Sequence, residues 1–268
     1  MIILGYLLAI LIGMSLGMIG GGGSILTVPV LVYLFDFPAK EAIAMSLGVV
    51  GIAAIVGAGT HWRQGNVLLR TSILLGIFSM LGAFLGAKYL APLVSGTVQL
   101  VVFAFTMLVA AFFMFRNKQV DENAESQVNM PLLALFGILV GAFTGLVGVG
   151  GGFLLVPTLV LLASVPMKKA VGSSLLIISL NSMAGVLGYL GSVPIQWSFL
   201  TAFSFLTVVG ISLGSQLTRY VSQSALKKGF SIFLILMGLF ILYKNRAEFV
   251  PQAEKGISSW SQKLSITS

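Results

Sequence analysis

Four consecutive glycines, Gly20 to Gly23, interrupt a strongly apolar run and are followed by Ser24, Thr27 and Pro29. Gly148, Gly150, Gly151 and Gly152, with Pro157, repeat the pattern further along. A greasy helix gains nothing from such residues. Glycine weakens a helix by roughly 1 kcal/mol relative to Ala, and proline breaks one. What they offer is bare backbone. N–H groups beside a helix N-terminus, with its partial positive charge, suit an anion, and Ser24 can cap the helix or donate. Two such loops facing each other could hold one small oxyanion. Gly20, Gly22, Gly23 and Ser24, with Gly148, Gly150, Gly151 and Gly152, are therefore the first candidate binding residues.

Other polar residues fall inside apolar segments. Ser46, Ser174 and Asn181 are candidates to line the cavity, since hydroxyls and amides replace part of an anion's hydration shell. Interhelical hydrogen bonding is the competing reading. His61, in T-H-W-R-Q-G, is a candidate gate or proton acceptor, read against a simple interfacial position beside Trp62. The seven acidic residues all fall in predicted loops, the linker or the tail. A cation in low dielectric needs a carboxylate, so their placement counts against a metal cation as substrate. There is no cysteine and one histidine, so disulfides, thiolate chemistry and a His-rich metal site are excluded. No acid–base pair suggests an enzyme, no Lys follows the glycines as in a phosphate-binding loop, and no cofactor is implied.

The elements that must position these groups are membrane helices. Of 268 residues, 57% are hydrophobic and 8% charged, where a soluble domain carries about 25% charged residues, and mean hydropathy is +1.06. Apolar segments run at 2–35, 42–61, 67–90, 97–115, 131–163, 170–190, 197–218 and 228–243. The first segment lacks the basic start of a signal peptide and is expected to stay in the mature protein. A shift of 128 residues superposes Gly17, Gly20, Gly22 and Gly23 on Gly145, Gly148, Gly150 and Gly151, Pro29 on Pro157, Lys40 on Lys168 and Ser46 on Ser174. Shared hydrophobicity would not align glycine, proline and lysine at one shift. The expected organisation is an N-terminal repeat (1–118), a polar linker (119–129), a C-terminal repeat (130–246) and a polar tail (247–268).

The fold expected is an all-α integral membrane protein of two halves with about four spans each. The first segment of each half is too long for one span: residues 2–35 as one helix would reach about 51 Å against a core of about 30 Å. Breaks at the glycines give helices at about 2–18 and 24–35, and at 131–147 and 152–163, for 8 spans and up to 10 crossings. Five crossings per half would invert the halves and four would leave them parallel. On eight spans, Lys and Arg near the spans divide six against seven between the two sides, which leaves orientation open. Gly13/Gly17, Gly82/Gly86 and their shifted partners read as small-xxx-small packing contacts. Lys40 and Lys168 would flank the two mouths.

The stretches G-M-I-G-G-G-G-S-I-L-T-V-P-V-L and G-L-V-G-V-G-G-G-F-L-L-V-P-T-L resemble the paired signature of the TauE/SafE family of sulfite-exporter-like and sulfonate-uptake permeases, and P-x-K-x-A follows each. The resemblance covers nearly the whole chain and implies a multi-pass permease of the cell (inner) membrane for a small sulfur-containing or carboxylate anion. The expected function is secondary transport of a sulfur oxyanion or organosulfonate, such as sulfite, by alternating access. An anion channel or a non-catalytic subunit of an assembly is the alternative. Expected partners are the anion, the lipid bilayer, H+ or Na+ as coupling ion and a further copy of the chain, with no nucleic acid.

Overall fold

The computed structural model describes residues 2–116, 130–147, 152–161 and 163–245. The proposed linker, most of the second glycine run (Gly148, Gly150 and Gly151) and the tail lie outside the described residues. Among the described residues ten α-helices follow one another: α1 (Ile2–Ile19), α2 (Gly22–Tyr33), α3 (Ala39–Arg63), α4 (Leu69–Leu85), α5 (Gly96–Arg116), α6 (Met130–Val147), α7 (Gly152–Leu161), α8 (Met167–Tyr189), α9 (Trp197–Leu217) and α10 (Gln223–Lys244). No strand occurs among the described residues. Among the described residues, six helical stretches are long and apolar enough to span a bilayer. The chain is an all-helical, multi-pass membrane protein.

The first apolar segment breaks at the glycines and folds back on itself. α1 has 18 residues, about 27 Å, and α2 has 12, about 18 Å. A methyl on Gly23 would strike Ile12 O, and one on Gly5 would strike the Phe35 ring. The start of α2 therefore lies beside the second half of α1, and its end returns to the start of α1. Proline at position 29 stays inside α2. Such prolines are tolerated in membrane helices because neighbouring helices re-satisfy the freed backbone groups.

The directions of the other helices follow from what each glycine touches. Gly51 lies over Ser182, Gly57 over Leu175 and Gly185 over Leu47, so α3 and α8 are antiparallel. Gly13 and Gly17 of α1 press on the Thr207 and Ile211 carbonyls of α9, and Gly210 and Gly214 press back on Ile10 O and Met14 O, so α1 and α9 run together. The same shift of 128 converts every one of these contacts into one between α4 and α6: Gly141 on Ser79 O, Gly145 on Ala83 O, Gly82 on Ile138 O and Gly86 on Ala142 O. The small-xxx-small glycines thus join the halves, α1 to α9 and α4 to α6. Gly76 against Leu180 and Gly188 against Ala87 align α4 with α8. α4 is consequently antiparallel to α9, and α1 to α6. α1, α3 and α4 thus run opposite to α6, α8 and α9, the helices 128 residues on, as in an inverted arrangement.

α3 and α8 form the centre. Their most apolar stretches are 72% buried, against 39–44% for the other four spans. The outer helices show lipid one face: Ile73, Ile77, Leu81 and Leu85 of α4 are exposed, while Ser72, Leu75, Gly76 and Ser79 are buried. Two membrane faces result, here called the His61 face and the Tyr189 face. The His61 face carries Arg63, Arg70, Arg116, Lys168, Lys169, Arg219, Lys227 and Lys228. The Tyr189 face carries Lys40, Lys88 and Lys244, and the two acidic residues described, Asp36 and Glu41. The even charge division expected on eight spans disappears because α3 and α8 start from opposite faces.

Candidate functional site

The two glycine breaks meet. A methyl added to Gly152 would come within 2.5 Å of Gly21 Cα and of Ile178 Cδ1, and Ile178 is the central residue of α8. Gly20 sits one turn away along α8, where a methyl would lie 2.7 Å from Ser174 Oγ and 3.1 Å from a Val156 methyl. The N-terminal ends of α2 and α7 therefore point into one region, each with first-turn N–H groups that no intrahelical carbonyl takes up. Helix N-termini of this kind favour negative charge.

The four glycines of the first run have different jobs. Gly20 has φ +76°, a left-handed backbone that lets the chain turn out of α1. Gly21 is the N-cap of α2. Gly22, Gly23 and Ser24 already form its first turn, so α2 begins two residues before the expected position 24. The absence of a side chain at Gly23 lets α2 close on Ile12 and Leu16. The run is a helix start packed on its neighbour rather than a loop of four bare residues.

Ser46 and Ser174 are fully buried and make the same bond three residues back, Ser46 Oγ to Ile43 O at 2.9 Å and Ser174 Oγ to Val171 O at 2.8 Å. Ser174 adjoins Gly20. Asn181 lies two turns further along α8, donating Nδ2 to Ser79 Oγ at 2.7 Å, while its buried Oδ1 has no partner. The fold thus brings Gly20 and Ser174 together near Gly152, and sets Asn181 apart between α8 and α4.

His61, in the last turn of α3, is fully buried within the protein. Its Nε2 is 2.9 Å from Gly17 O. A carbonyl only accepts, so Nε2 carries the proton and Nδ1 is left a buried acceptor without a partner. Thr218 Oγ1 shares its one proton between the same Gly17 oxygen, at 3.2 Å, and Gly214 O, at 3.1 Å. The opposite face has the shifted counterpart: Tyr189 stands where His61 would fall, and its hydroxyl donates to Gly145 O at 3.1 Å and Leu146 O at 3.3 Å. Gln99 Nε2 also donates to Leu146 O, at 2.9 Å. A buried polar side chain thus pins the end of α1 and the end of α6, His61 on one face and Tyr189 on the other. Tyr189, Gln99 and Thr218 escaped sequence reasoning. The shift of 128 applied to His61 would have found the first of them.

Among the described residues, openings adjoin this core on two sides. One, about 460 Å³, lies on the His61 face and is lined by Arg63, Gln64, Asn66, Lys168 and Arg219. The other, about 710 Å³ and mainly apolar, lies between α5, α6 and α7, with Phe113, Arg116, Phe136, Leu154 and Thr158 in its wall. It contains none of the residues expected to bind an anion.

The sequence model of the family described as Sulfite exporter TauE/SafE matches residues 5–241. Similar proteins include a probable membrane transporter protein of Xylella fastidiosa, 30% identical over 247 residues, covering 90% of this chain and 94% of that protein. A probable membrane transporter protein of Methanocaldococcus jannaschii is 27% identical over 255 residues, 88% of this chain and 94% of that one. One from Bacillus subtilis is 26% identical over 243 residues, 88% and 98% respectively. No solved structure matches significantly. The chain belongs to the TauE/SafE family and is a membrane transporter.

Proposed function

We propose that this TauE/SafE-family transporter moves a small oxyanion, a sulfur oxyanion or organosulfonate such as sulfite, across the inner membrane by alternating access between halves 1–118 and 130–246. The observation that carries the reading is the meeting of the two glycine breaks, Gly21 against Gly152, with a helix N-terminus on each side. Backbone N–H groups and two helix dipoles can bind an anion without a buried cation. The acidic residues described support the same sign of substrate: Asp36 is in a connection and Glu41 in the first turn of α3, both on the Tyr189 face.

The seals support a carrier rather than an open pore. His61 and Thr218 close one side of the junction on Gly17 O, and Tyr189 closes the other on Gly145 O. In the proposed cycle one seal opens while its counterpart stays shut. His61 is the gate of the first, and its unpartnered Nδ1 is the place for a coupling proton.

The test is uptake of radiolabelled sulfite into proteoliposomes, with sulfate, thiosulfate, small sulfonates and carboxylates as competitors. Saturable uptake, accelerated by sulfite on the opposite side, is the expected result. Gly22→Val and Gly152→Ala should abolish it in protein that still purifies folded. Normal flux in both variants would remove the glycine junction from the mechanism. Flux that neither saturates nor responds to sulfite on the opposite side would make the protein a channel.

A further inference from the structure

We propose that the cleft between Arg63, Lys168 and Arg219 is a cytoplasm-facing capture site for small oxyanions, upstream of the glycine junction. Its purpose rests on the anion-transport reading above; its chemistry stands on the cleft itself.

Three cations reach this opening from three separate elements: the end of α3, the first turn of α8 and the short helical turn after α9. Two amides join them. Gln64 donates to Ser215 O at 3.0 Å, and Asn66 donates to Gln64 Oε1 at 3.3 Å. Both described carboxylates, Asp36 and Glu41, are on the opposite face, so no described acid neutralises the cluster. A cleft lined by one sign of charge concentrates counter-ions.

The cleft also has a direction. A methyl on Gly172, in the wall of α8 below it, would meet Asn66 O and lie 3.0 Å from His61 Cβ, so the His61 seal is its floor. From Lys168 to Ser174, which adjoins Gly20, is six residues along α8, about 9 Å. An anion held by the three cations waits one seal away from the glycine junction.

The arrangement is not duplicated. Positions 128 residues away from Arg63, Gln64, Asn66 and Arg219 are Gly191, Ser192, Pro194 and Ala91, and only Lys168 keeps its cation, as Lys40. Among the described residues, a frame whose glycine contacts repeat at this shift therefore carries this group of cations on one face. Lys and Arg are enriched on the cytoplasmic side of membrane proteins. The eight described cations of the His61 face against three on the other make it the cytoplasmic one. The proposed site loads anions from the cytoplasm, which suits export.

A phosphate headgroup offers the same chemistry as a free oxyanion, so the experiment separates the two. The chain contains no cysteine, so a single Cys reports alone. Asn66→Cys places it in the cleft, and Ser222→Cys, exposed on the same face, is the reference. The probes are a small sulfonate-bearing and a small ammonium-bearing methanethiosulfonate. At Asn66→Cys the anionic-to-cationic rate ratio should exceed that at Ser222→Cys about tenfold. Arg63→Gln, Lys168→Gln and Arg219→Gln should each lower it toward the reference. Equal ratios at the two positions would overturn the proposal. In nanodiscs of phosphatidylcholine, sulfate or phosphate should slow the reaction, whereas protection by anionic phospholipid alone would make the cleft a lipid site. Impermeant reagent should reach Asn66→Cys in inside-out vesicles and not in intact cells; the reverse would put the cleft outside. None of these rates requires transport, so absent sulfite flux would sink the transport reading and leave the cleft result standing.

Discussion

At the scale of single residues, buried polar groups fasten the ends of α1 and α6, and their removal is measurable. Gly17 O accepts from His61 and Thr218, so His61→Ala leaves it one donor and opens space in a packed interior. A lost buried hydrogen bond costs about 1–3 kcal/mol, and the remaining Thr218 keeps the loss toward the lower end. Thermal unfolding in detergent should register it, and His61→Gln, which retains an N–H donor, should recover most of the stability. Full stability of His61→Ala would show that the bond to Gly17 carries nothing. Gly20 makes a separate case. Its φ of +76° costs an alanine roughly 1–2 kcal/mol, and the new methyl would lie 2.7 Å from Ser174 Oγ. Gly20→Ala should therefore destabilise, and adding Ser174→Ala should restore only the steric part. Complete rescue in the double variant would mean the left-handed backbone is not required. Sequence reasoning asked for bare backbone somewhere in the run Gly20 to Gly23, because glycines weaken an apolar helix, and the φ of +76° at Gly20 is one such place. It could not separate the jobs of Gly20, Gly21 and Gly23, since turning, capping and close packing all ask for the same missing side chain.

At the scale of helices, the glycine contacts between α1 and α9 and between α4 and α6 replace the hydrophobic force that lipid does not supply. A methyl on Gly13 would strike Thr207 O, and one on Gly141 would strike Ser79 O. These two contacts are related by the same 128-residue shift, so Gly13→Ala and Gly141→Ala should cost similar amounts, about 1–3 kcal/mol each from overpacking. Gly59 of α3 is the control. Nothing lies within 4 Å of a methyl there, and Gly59→Ala should be neutral or stabilising by up to about 1 kcal/mol. A Gly13→Ala protein as stable as Gly59→Ala would show that α1 and α9 do not pack this closely. The pairing of these glycines was legible in the sequence, as was the break between α1 and α2. Their partners were not. Small-xxx-small spacing says that a face is narrow, and only the fold says that α1 finds α9 in the other half rather than a neighbour in its own.

The whole molecule turns on whether α2 counts as a crossing, and the residues around it explain why the sequence left this open. A segment of 12 helical residues spans about 18 Å, short for a membrane of about 30 Å, and serves equally as a re-entrant piece or as part of a hairpin. The contacts of Gly5 with Phe35 and of Gly23 with Ile12 resolve it, because the chain returns to the level at which α1 began. Five passages per half then invert the halves and carry His61 and Tyr189 to opposite faces, each holding the first helix of its half by an equivalent carbonyl. An inverted pair of seals implies a two-state balance: the two halves share one frame and differ in side chains, so weakening one seal favours the state open on that side. Losing one hydrogen bond worth roughly 1 kcal/mol shifts such an equilibrium about fivefold. Ser174→Cys, beside Gly20 and beneath the His61 seal, reads the shift in this cysteine-free chain. With a thiol reagent applied from the His61 face, adding His61→Ala should raise its labelling rate severalfold. Tyr189→Phe, which loosens the opposite seal and removes nothing above Ser174, should lower the rate. A rise in both variants would mean that each merely loosens the protein, and no change in either would strip the two seals of a gating role while leaving the inverted frame intact.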